Sequence, residues 1–262
     1  MGGYQSCALT TGGGVKCWGG NWRGQLGDGA NDDSPTPVDV VGLASGVSAI
    51  SAGGNFTCAL LTGGGVKCWG DNRYNQLGDG TTDQRDTPVD VSGLISGVQQ
   101  ISSGGYHACA LSTLGGVKCW GDNYYYQMGD SPDESAPTPV DIASLVSGVS
   151  RISAGGDMNC VLTDAGGVKC WGGNYAGQLG NGSYDDSPTV GDVTGLTSSV
   201  SHLETGWAHA CVLKSDETLA CWGDNMHGQL GLGTSVGQPV PVNVADWLRA
   251  FLPVMGRGSS VR

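Results

Sequence analysis

Ten cysteines are the residues of this chain whose type and spacing carry the clearest chemistry. They form five pairs with nine residues between the members of each, and no thiol is left over: Cys7/Cys17, Cys58/Cys68, Cys109/Cys119, Cys160/Cys170 and Cys211/Cys221. A zinc site usually places Cys or His roughly two to four residues apart, and neither flank of a pair offers that spacing. Disulfide bonds are therefore favoured. The alternative is five pairs of reduced, buried thiols that behave as small apolar side chains.

The cysteine pairs recur at a constant step of 51 residues, and five tryptophans follow the same step: Trp18, Trp69, Trp120, Trp171 and Trp222. A period of about 20–50 residues is typical of units that cannot bury their own apolar face and stack on their neighbours, as in solenoids and propellers. We expect one domain of five tandem repeats over residues 1–246, followed by a C-terminal segment at 247–262. The expected repeats span about 2–52, 53–103, 104–154, 155–205 and 206–246.

A hairpin is expected to hold each cysteine pair together. In the second repeat, a β-rich run at 56–61 and a second at 66–70 flank a glycine cluster. A three-residue loop with glycine in its left-handed third position places residue 58 opposite residue 68, so the two sulfurs meet. This turn requires glycine at 13, 64, 115, 166 and 217, but position 217 carries Glu217, so we expect the fifth hairpin to differ.

Composition and charge limit the fold and the partners. Charged residues make up 14% of the chain and glycine contributes 48 residues, which favours an all-β fold of short strands and tight turns. The net charge of −12 argues against nucleic acid, whose binding depends on Lys and Arg. No apolar run approaches the roughly 18 residues of a membrane span.

The disulfide interpretation also bears on localisation. Disulfide bonds persist in oxidising compartments, so we expect an extracellular or cell-surface protein. Residues 1–3 lead straight into the first repeat without a secretory signal. We therefore expect that signal in a longer parent chain.

A second motif, W-G-x-N-x-x-x-Q-L-G, follows each hairpin, with Met128 replacing leucine once. The tryptophan and leucine are expected to wedge neighbouring sheets together. Asn21 and Gln25 are expected to satisfy turn amides and carbonyls rather than to take part in catalysis.

The string G-G-x-x-x-C-A-L-x-x-x-G-G-V-K-C-W-G-x-N-x-x-G-Q-L-G-D-G, over roughly residues 2–245, resembles the repeat of the regulator of chromosome condensation family of β-propellers. The resemblance implies a ring of four-stranded blades. The cysteine pair is similar to the variant of secreted and bacterial members. Residues 45–53 and 68–72 also resemble the β-lactamase-inhibitory propeller group, whose members work by binding.

Blade number and ring closure are separate expectations. Rings of this family usually have seven blades, so five repeats predict either a closed five-bladed ring or an open arc of a larger propeller. The first repeat lacks its opening strand, and residues 250–255 align with that strand and would complete the N-terminal blade. The alternative is a short amphipathic helix or tail over 247–252. We do not expect the nucleotide-exchange activity of the founding member, because this acidic chain shows neither a basic arm nor a segment outside the repeats that could act as a nucleotide-displacing wedge.

Two columns of the repeat vary while staying rich in aromatic residues, one after the fixed Asn and one before the first Cys of each pair. Both are expected to emerge on one rim and to bind a protein partner. The alternative is that these side chains pack between blades. The candidate partner-binding residues are Trp22, Arg23, Phe56, Arg73, Tyr74, Tyr106, Tyr124, Tyr125, Tyr126, Tyr175, Trp207 and His227. The chain is expected not to be an enzyme; a carbohydrate-binding rim and a hydrolase or lyase site in the central channel are the alternative functions.

Metal and cofactor sites find little support in the sequence. His107, His209 and His227 lie in different repeats without local ligand spacing, so no metal site is expected. Acidic loops at 28–33, 79–83 and 130–134 place carboxylates where calcium could bind, although they lack the twelve-residue pattern with a closing Glu. Solvated turns are the favoured interpretation, and no cofactor is expected.

Overall fold

The computed structural model of the chain describes residues 2–129 and 135–244, which form five antiparallel sheets without a helix. Blade 1 has three strands: β1 Gln5–Leu9, β2 Val15–Gly19 and β3 Ser34–Asp39. Blades 2 and 3 consist of β4 Val47–Ala52, β5 Phe56–Leu61, β6 Val66–Gly70, β7 Arg85–Asp90, β8 Val98–Ser103, β9 His107–Ser112, β10 Val117–Gly121 and β11 Ala136–Asp141. Blades 4 and 5 consist of β12 Val149–Ala154, β13 Met158–Thr163, β14 Val168–Gly172, β15 Ser187–Asp192, β16 Val200–Thr205, β17 His209–Lys214, β18 Leu219–Gly223 and β19 Gln238–Asn243. This architecture confirms the predicted all-β propeller of five repeats.

The predicted hairpin register is confirmed in all five blades. In blade 2, Cys58 lies directly opposite Cys68. A slip of one residue would have sent the paired side chains to opposite faces of the sheet, so the turn length is what permits a bond between them. The paired Cα atoms are 4.0–4.1 Å apart in all five predicted disulfide bonds, which are Cys7–Cys17, Cys58–Cys68, Cys109–Cys119, Cys160–Cys170 and Cys211–Cys221.

The disulfide bonds belong to the core and not to a binding surface. Cys17 and Cys119 have no exposed surface, and Cys170 is 2% exposed. Each packs in a different apolar cluster of the propeller. All ten cysteines are bonded, so the alternative of reduced buried thiols is wrong for this structure.

The expectation that the fifth hairpin differs is wrong. Glycines at the third loop position of the first four hairpins have φ values of 76–79° (Gly13, Gly64, Gly115 and Gly166). Glu217 takes the same left-handed conformation, with φ 66°, and its amide donates to the carbonyl of Lys214 as in the other hairpins. The strand register of the blade imposes this geometry on a residue whose Cβ disfavours it.

The blades are offset from the sequence repeats. The innermost strand of each four-stranded blade (β4, β8, β12 or β16) comes from the end of one repeat and pairs with the first strand of the next. Innermost strands of consecutive blades contact each other, whereas among the described residues no comparably extended strand packing joins blade 5 to blade 1. The segment 247–262, with the strand expected at 250–255, lies outside the described residues.

The core lies between neighbouring blades and is built from the second motif. Trp69, Trp120, Trp171 and Trp222 are fully buried. Each donates its indole N–H to the backbone carbonyl of the motif glutamine in the preceding blade, over 2.8–3.0 Å. The predicted wedge between sheets is confirmed at these four positions, whereas Trp18 of blade 1 is only half-buried. A hydrogen bond buried at each interface also fixes how adjacent blades align, since an unpaired buried N–H costs about 1–3 kcal/mol.

The repeated lysines cover the outer part of four blades. Each pairs with an aspartate on the outermost strand over 2.6–2.7 Å: Lys16–Asp39, Lys67–Asp90, Lys118–Asp141 and Lys169–Asp192. These pairs are largely exposed, so each contributes about 1 kcal/mol or less. The lysine column therefore belongs to the scaffold. The described part of the chain contains no helix with the length and hydrophobicity needed to cross a lipid bilayer.

Candidate functional site

The fixed positions of the second motif hold a rigid turn. The Oδ1 atom of Asn21 accepts the amide of Leu26 over 2.9 Å, and its Nδ2 donates to the carbonyl of Ala30. The Oε1 atom of Gln25 accepts the amide of Arg23 over 2.8 Å. Equivalent bonds recur in the other copies, which confirms the predicted structural role of this Asn and Gln. The two residues that follow the Asn are therefore held at fixed positions on a tight loop.

Both variable columns emerge at the same end of the blades. Two sets of connections meet there, because neighbouring strands are antiparallel. One set consists of the loops that precede β1, β5, β9, β13 and β17, and the other consists of the turns that follow β2, β6, β10, β14 and β18. We call this end the loop face. Five side chains directly after the Asn or one position later are 44–76% exposed on it: Trp22, Tyr74, Tyr124, Tyr175 and Met226.

The column before the first cysteine splits into an outward and an inward row. Tyr4 is exposed and Tyr106 and Asp157 are half-buried, so these side chains reach the loop face. The next residue turns inward in three copies, where Phe56, His107 and Met158 have no exposed surface. The prediction that Phe56 contacts a partner is therefore corrected, because this ring packs in the core between blades.

Seven side chains from four blades line a cavity of about 380 Å³ on the loop face: Tyr74, Tyr106, Asp122, Tyr124, Tyr125, Asp157 and Trp207. We call it the aromatic pocket. Tyr74 and Tyr106 come from neighbouring blades and meet edge to face with ring centroids 5.2 Å apart, and Tyr124 and Tyr125 meet at 4.9 Å. The structure thus brings five of the predicted partner-binding residues together.

Trp207 reaches the aromatic pocket from blade 5 because it departs from the repeat. It stands where the first four repeats carry glycine, at positions 3, 54, 105 and 156. A Cβ atom at Gly105 or Gly156 would lie about 3 Å from the Trp207 side chain (3.1 and 2.8 Å). Glycine in the two preceding repeats is therefore what allows this indole, which is 53% exposed, to lie across the loop face.

The remaining predicted residues lie outside the aromatic pocket. Trp22 contacts Tyr4 edge to face at 4.8 Å at the far end of the loop face. Arg23 and Tyr126 are half-buried, whereas Tyr175 and His227 are exposed. Sequence analysis missed Asp122 and Asp157 as pocket residues, although Asp157 stands in the variable column before the first Cys.

Comparison with known proteins gives a family match over nearly the whole chain. The RCC1-like domain (WD40_RLD) matches residues 1–260. The chain belongs to the RCC1-like domain family. This RCC1-like domain is 30% identical over 235 residues to the ultraviolet-B receptor UVR8 of Arabidopsis thaliana, a match that covers 88% of the chain and 53% of UVR8. It is 31% identical over 252 residues to the human E3 ubiquitin-protein ligase HERC2, covering 93% of the chain and 5% of HERC2.

Solved structures agree on the fold. Human WBSCR16 superposes with a TM-score of 0.81 at 27% identity, over 92% of the RCC1-like domain and 65% of that chain. Prp20p from Saccharomyces cerevisiae gives 0.80 at 22% identity, over 94% and 62%. The chain therefore spans less than two thirds of these relatives. All four are eukaryotic, and the resemblance to bacterial cysteine-paired members and to inhibitory propellers stays a prediction.

The electrostatics of the aromatic pocket are dominated by unneutralised carboxylates. Partial burial, followed by the negative charges of Asp122 and Asp186, raises the pKa of Asp157 to about 6. The same desolvation and the nearby Asp157 raise the pKa of the Tyr125 hydroxyl. Among the described residues no Lys or Arg forms an ion pair with Asp122 or Asp157. The pocket is thus a site of excess negative charge walled by aromatic rings.

The centre of the RCC1-like domain is lined mainly by small residues in its described part. A central depression of about 250 Å³ is lined by the inner loops of all five blades, and its lining consists of glycine, alanine, serine, threonine and Trp207. Within the described residues this lining contains no acid, base or thiol.

His107 and the acidic loops at 28–33 and 79–83 make structural contacts. His107 is buried with its Nε2 atom 2.9 Å from Oδ1 of Asn159, and burial lowers its pKa. Asp28 and Asp79 accept hydrogen bonds from their own loops, and Asp79 also pairs with Arg85. Over residues 2–129 and 135–244 no group of three or more His, Cys, Asp or Glu is placed to hold a metal. The loop at 130–134 lies outside the described residues.

Proposed function

We propose that this RCC1-like domain is a non-catalytic scaffold that binds a protein partner through the aromatic side chains of its loop face. The observation that carries the proposal is the convergence of Tyr and Trp side chains from three blades on one pocket, where Tyr74, Tyr124 and Trp207 are exposed. Rigid aromatic side chains bury large areas at low entropic cost, and they dominate the energetics of protein interfaces.

The scaffold supports this role because other residues of each repeat stabilise the turns that carry these side chains. The buried Asn, Gln and Trp of each repeat hold the turns, whereas Tyr124 is 73% exposed and Tyr175 is 54% exposed. Solvated rings of this size gain nothing for folding from their exposure. One protein with the same fold, Prp20p, binds Gsp1p and histones.

The experiment is capture of partners on the immobilised, oxidised domain, followed by affinity measurement with variants. We expect Tyr124→Ser to weaken binding of the captured protein by at least about tenfold. Leu114→Ser, at an 84% exposed position in a hairpin turn at the opposite end of the blades, is the matched control and should bind normally. Equal binding by both variants would contradict the proposed surface.

We further propose an extracellular or cell-surface location, which the five disulfide bonds support. The test is to count free thiols in protein secreted by a host cell and in protein expressed in the cytosol of the same host. We expect none in the secreted protein. A glycan partner is the alternative occupant of the aromatic rim. A glycan array in which binding is lost in Tyr124→Ser, with no protein captured, would favour it over the protein partner.

A further inference from the structure

In blade 2, Arg73 pairs with a carboxylate and contacts an aromatic ring on the loop face. The guanidinium of Arg73 forks onto the buried Asp71, with Nε 3.0 Å from Oδ1 and Nη2 2.9 Å from Oδ2. Its Cζ atom lies 6.0 Å from the centroid of the Tyr74 ring. A planar guanidinium serves both partners at once, since it donates a bidentate pair to the carboxylate and stacks on the ring.

The next blade repeats the carboxylate and the ring but not the arginine. Asp122 and Tyr125 stand 51 residues after Asp71 and Tyr74, and the position of Arg73 is taken by Tyr124. Asp122 accepts weak hydrogen bonds of 3.3 Å from the amide of Tyr124 and the side-chain amide of Gln127. Within the described ranges it has no cationic partner.

The aromatic pocket surrounds Asp122 and Tyr125 with a further carboxylate and further aromatic rings. Asp157 adds a second carboxylate from blade 4, and no described side chain donates a hydrogen bond to it. Tyr106 and Trp207 extend the aromatic walls on either side. Two carboxylates and several rings around one cavity, in a chain with a net charge of −12, are complementary to a cation that is both planar and weakly hydrated.

We propose that the aromatic pocket receives the guanidinium of an arginine from the protein partner, with Asp122 and Asp157 accepting its hydrogen bonds and Tyr125 stacking on its plane. This inference rests on the proposed protein-binding function and specifies the chemistry of its central contact. The partner's arginine takes the place that Arg73 fills in the preceding blade.

The test uses the peptide acetyl-Gly-Arg-Gly-amide as the probe, titrated into the oxidised chain and followed by amide NMR shifts and by the indole N–H shift of Trp207. We expect saturable shifts at Asp122, Tyr124 and Trp207. The citrulline peptide, which keeps the shape and loses the charge, should bind at least about tenfold more weakly. A lysine peptide distinguishes planar stacking from simple charge attraction, and equal affinity for lysine and arginine would overturn the assignment to a guanidinium.

Variants that remove one negative charge test the contribution of each pocket carboxylate. Asp122→Asn and Asp157→Asn each preserve side-chain shape and should weaken the arginine peptide by about tenfold. Asp164→Asn removes the same charge at an exposed turn at the opposite end of the blades, so it should bind as the unmodified chain does. Circular dichroism confirms folding of each variant. Equal affinity for the citrulline peptide, or unchanged binding in both pocket variants, would sink the proposal.

Failure of the arginine contact and failure of the proposed protein-binding surface give different results. If the partner captured on beads needs Tyr124 but ignores Asp122→Asn and Asp157→Asn, the loop face binds protein and the arginine contact is wrong. If Tyr124→Ser leaves capture intact while the arginine peptide still binds in the pocket, the cation site stands and the protein-binding surface lies elsewhere.

Discussion

Asp157 should make the protein less stable as the pH rises through the mildly acidic range. Burial and the charges of Asp122 and Asp186 raise its pKa from the usual 3.8 to about 6. The folded state therefore holds the proton more tightly than the unfolded state, and ionisation penalises folding. The stabilisation is fully present below about pH 4, declines between about pH 4 and 6, and is absent above that range.

The size of the effect follows from the difference in pKa. Each pKa unit corresponds to about 1.4 kcal/mol, so full transfer of the shift gives an upper bound of about 3 kcal/mol. Asp157 keeps partial contact with water, which screens its charge, and we expect about 2 kcal/mol. Asp157→Asn removes the ionisation, and the second repeat already carries Asn55 at this position. The variant should therefore be more stable by about 2 kcal/mol at pH 7.

The assay is urea unfolding of both proteins, with disulfides intact, at steps from pH 3.5 to 7.5. The quantity of interest is the difference in unfolding free energy between variant and parent, because His107, His209 and other groups titrate in both proteins. We expect this difference to grow from near zero below about pH 4 to its full value above about pH 6. Asp164→Asn should stay within about 0.5 kcal/mol of the parent throughout. A difference that does not change with pH would refute the reasoning that Asp157 is desolvated.

Three further predictions concern the scaffold. Glu217→Gly should stabilise the protein by about 1 kcal/mol in urea unfolding, because the left-handed turn no longer carries a side chain, whereas Gly64→Ala should destabilise it; a loss of stability in Glu217→Gly would contradict the turn assignment. Replacing Cys58 and Cys68 together by alanine should cost about 2–3 kcal/mol by the loop-closure estimate, and an unchanged urea midpoint would show that this bond is absent or without effect. Calcium at millimolar concentration should leave the melting temperature unchanged, and a rise would reveal a cation site in the acidic loops.

Regularity explains why much of the fold could be predicted. The constant step of 51 residues determined the repeat, and the nine-residue spacing of Cys58 and Cys68 with a glycine at 64 determined the hairpin register. Glu217 shows the limit of local reasoning. Turn propensity favours glycine there, but pairing along the whole hairpin and the Cys211–Cys221 bond impose the same conformation on glutamate.

The candidate site was harder to predict because it depends on which side of the chain each variable residue faces. Phe56 and Tyr106 lie near each other in the repeat pattern, yet one turns into the core and the other outward. Asp157 and Trp207 meet only because the blades bring repeats four and five beside repeat three. No local spacing in the sequence encodes that approach. Hydrophobicity alone would have excluded the two aspartates, which carry the charge of the pocket.

The contact between consecutive blades has a consequence for how such chains change over generations. Each interface between consecutive blades contains the same hydrogen bond from a tryptophan indole to a glutamine carbonyl. At each interface the later blade also takes its innermost strand from the preceding sequence repeat. Duplication or loss of any 51-residue stretch would join parts that already match, leaving the surviving joints intact. Recombination can thus lengthen or shorten the array in whole steps, and each new copy brings a fresh pair of variable positions to the same surface.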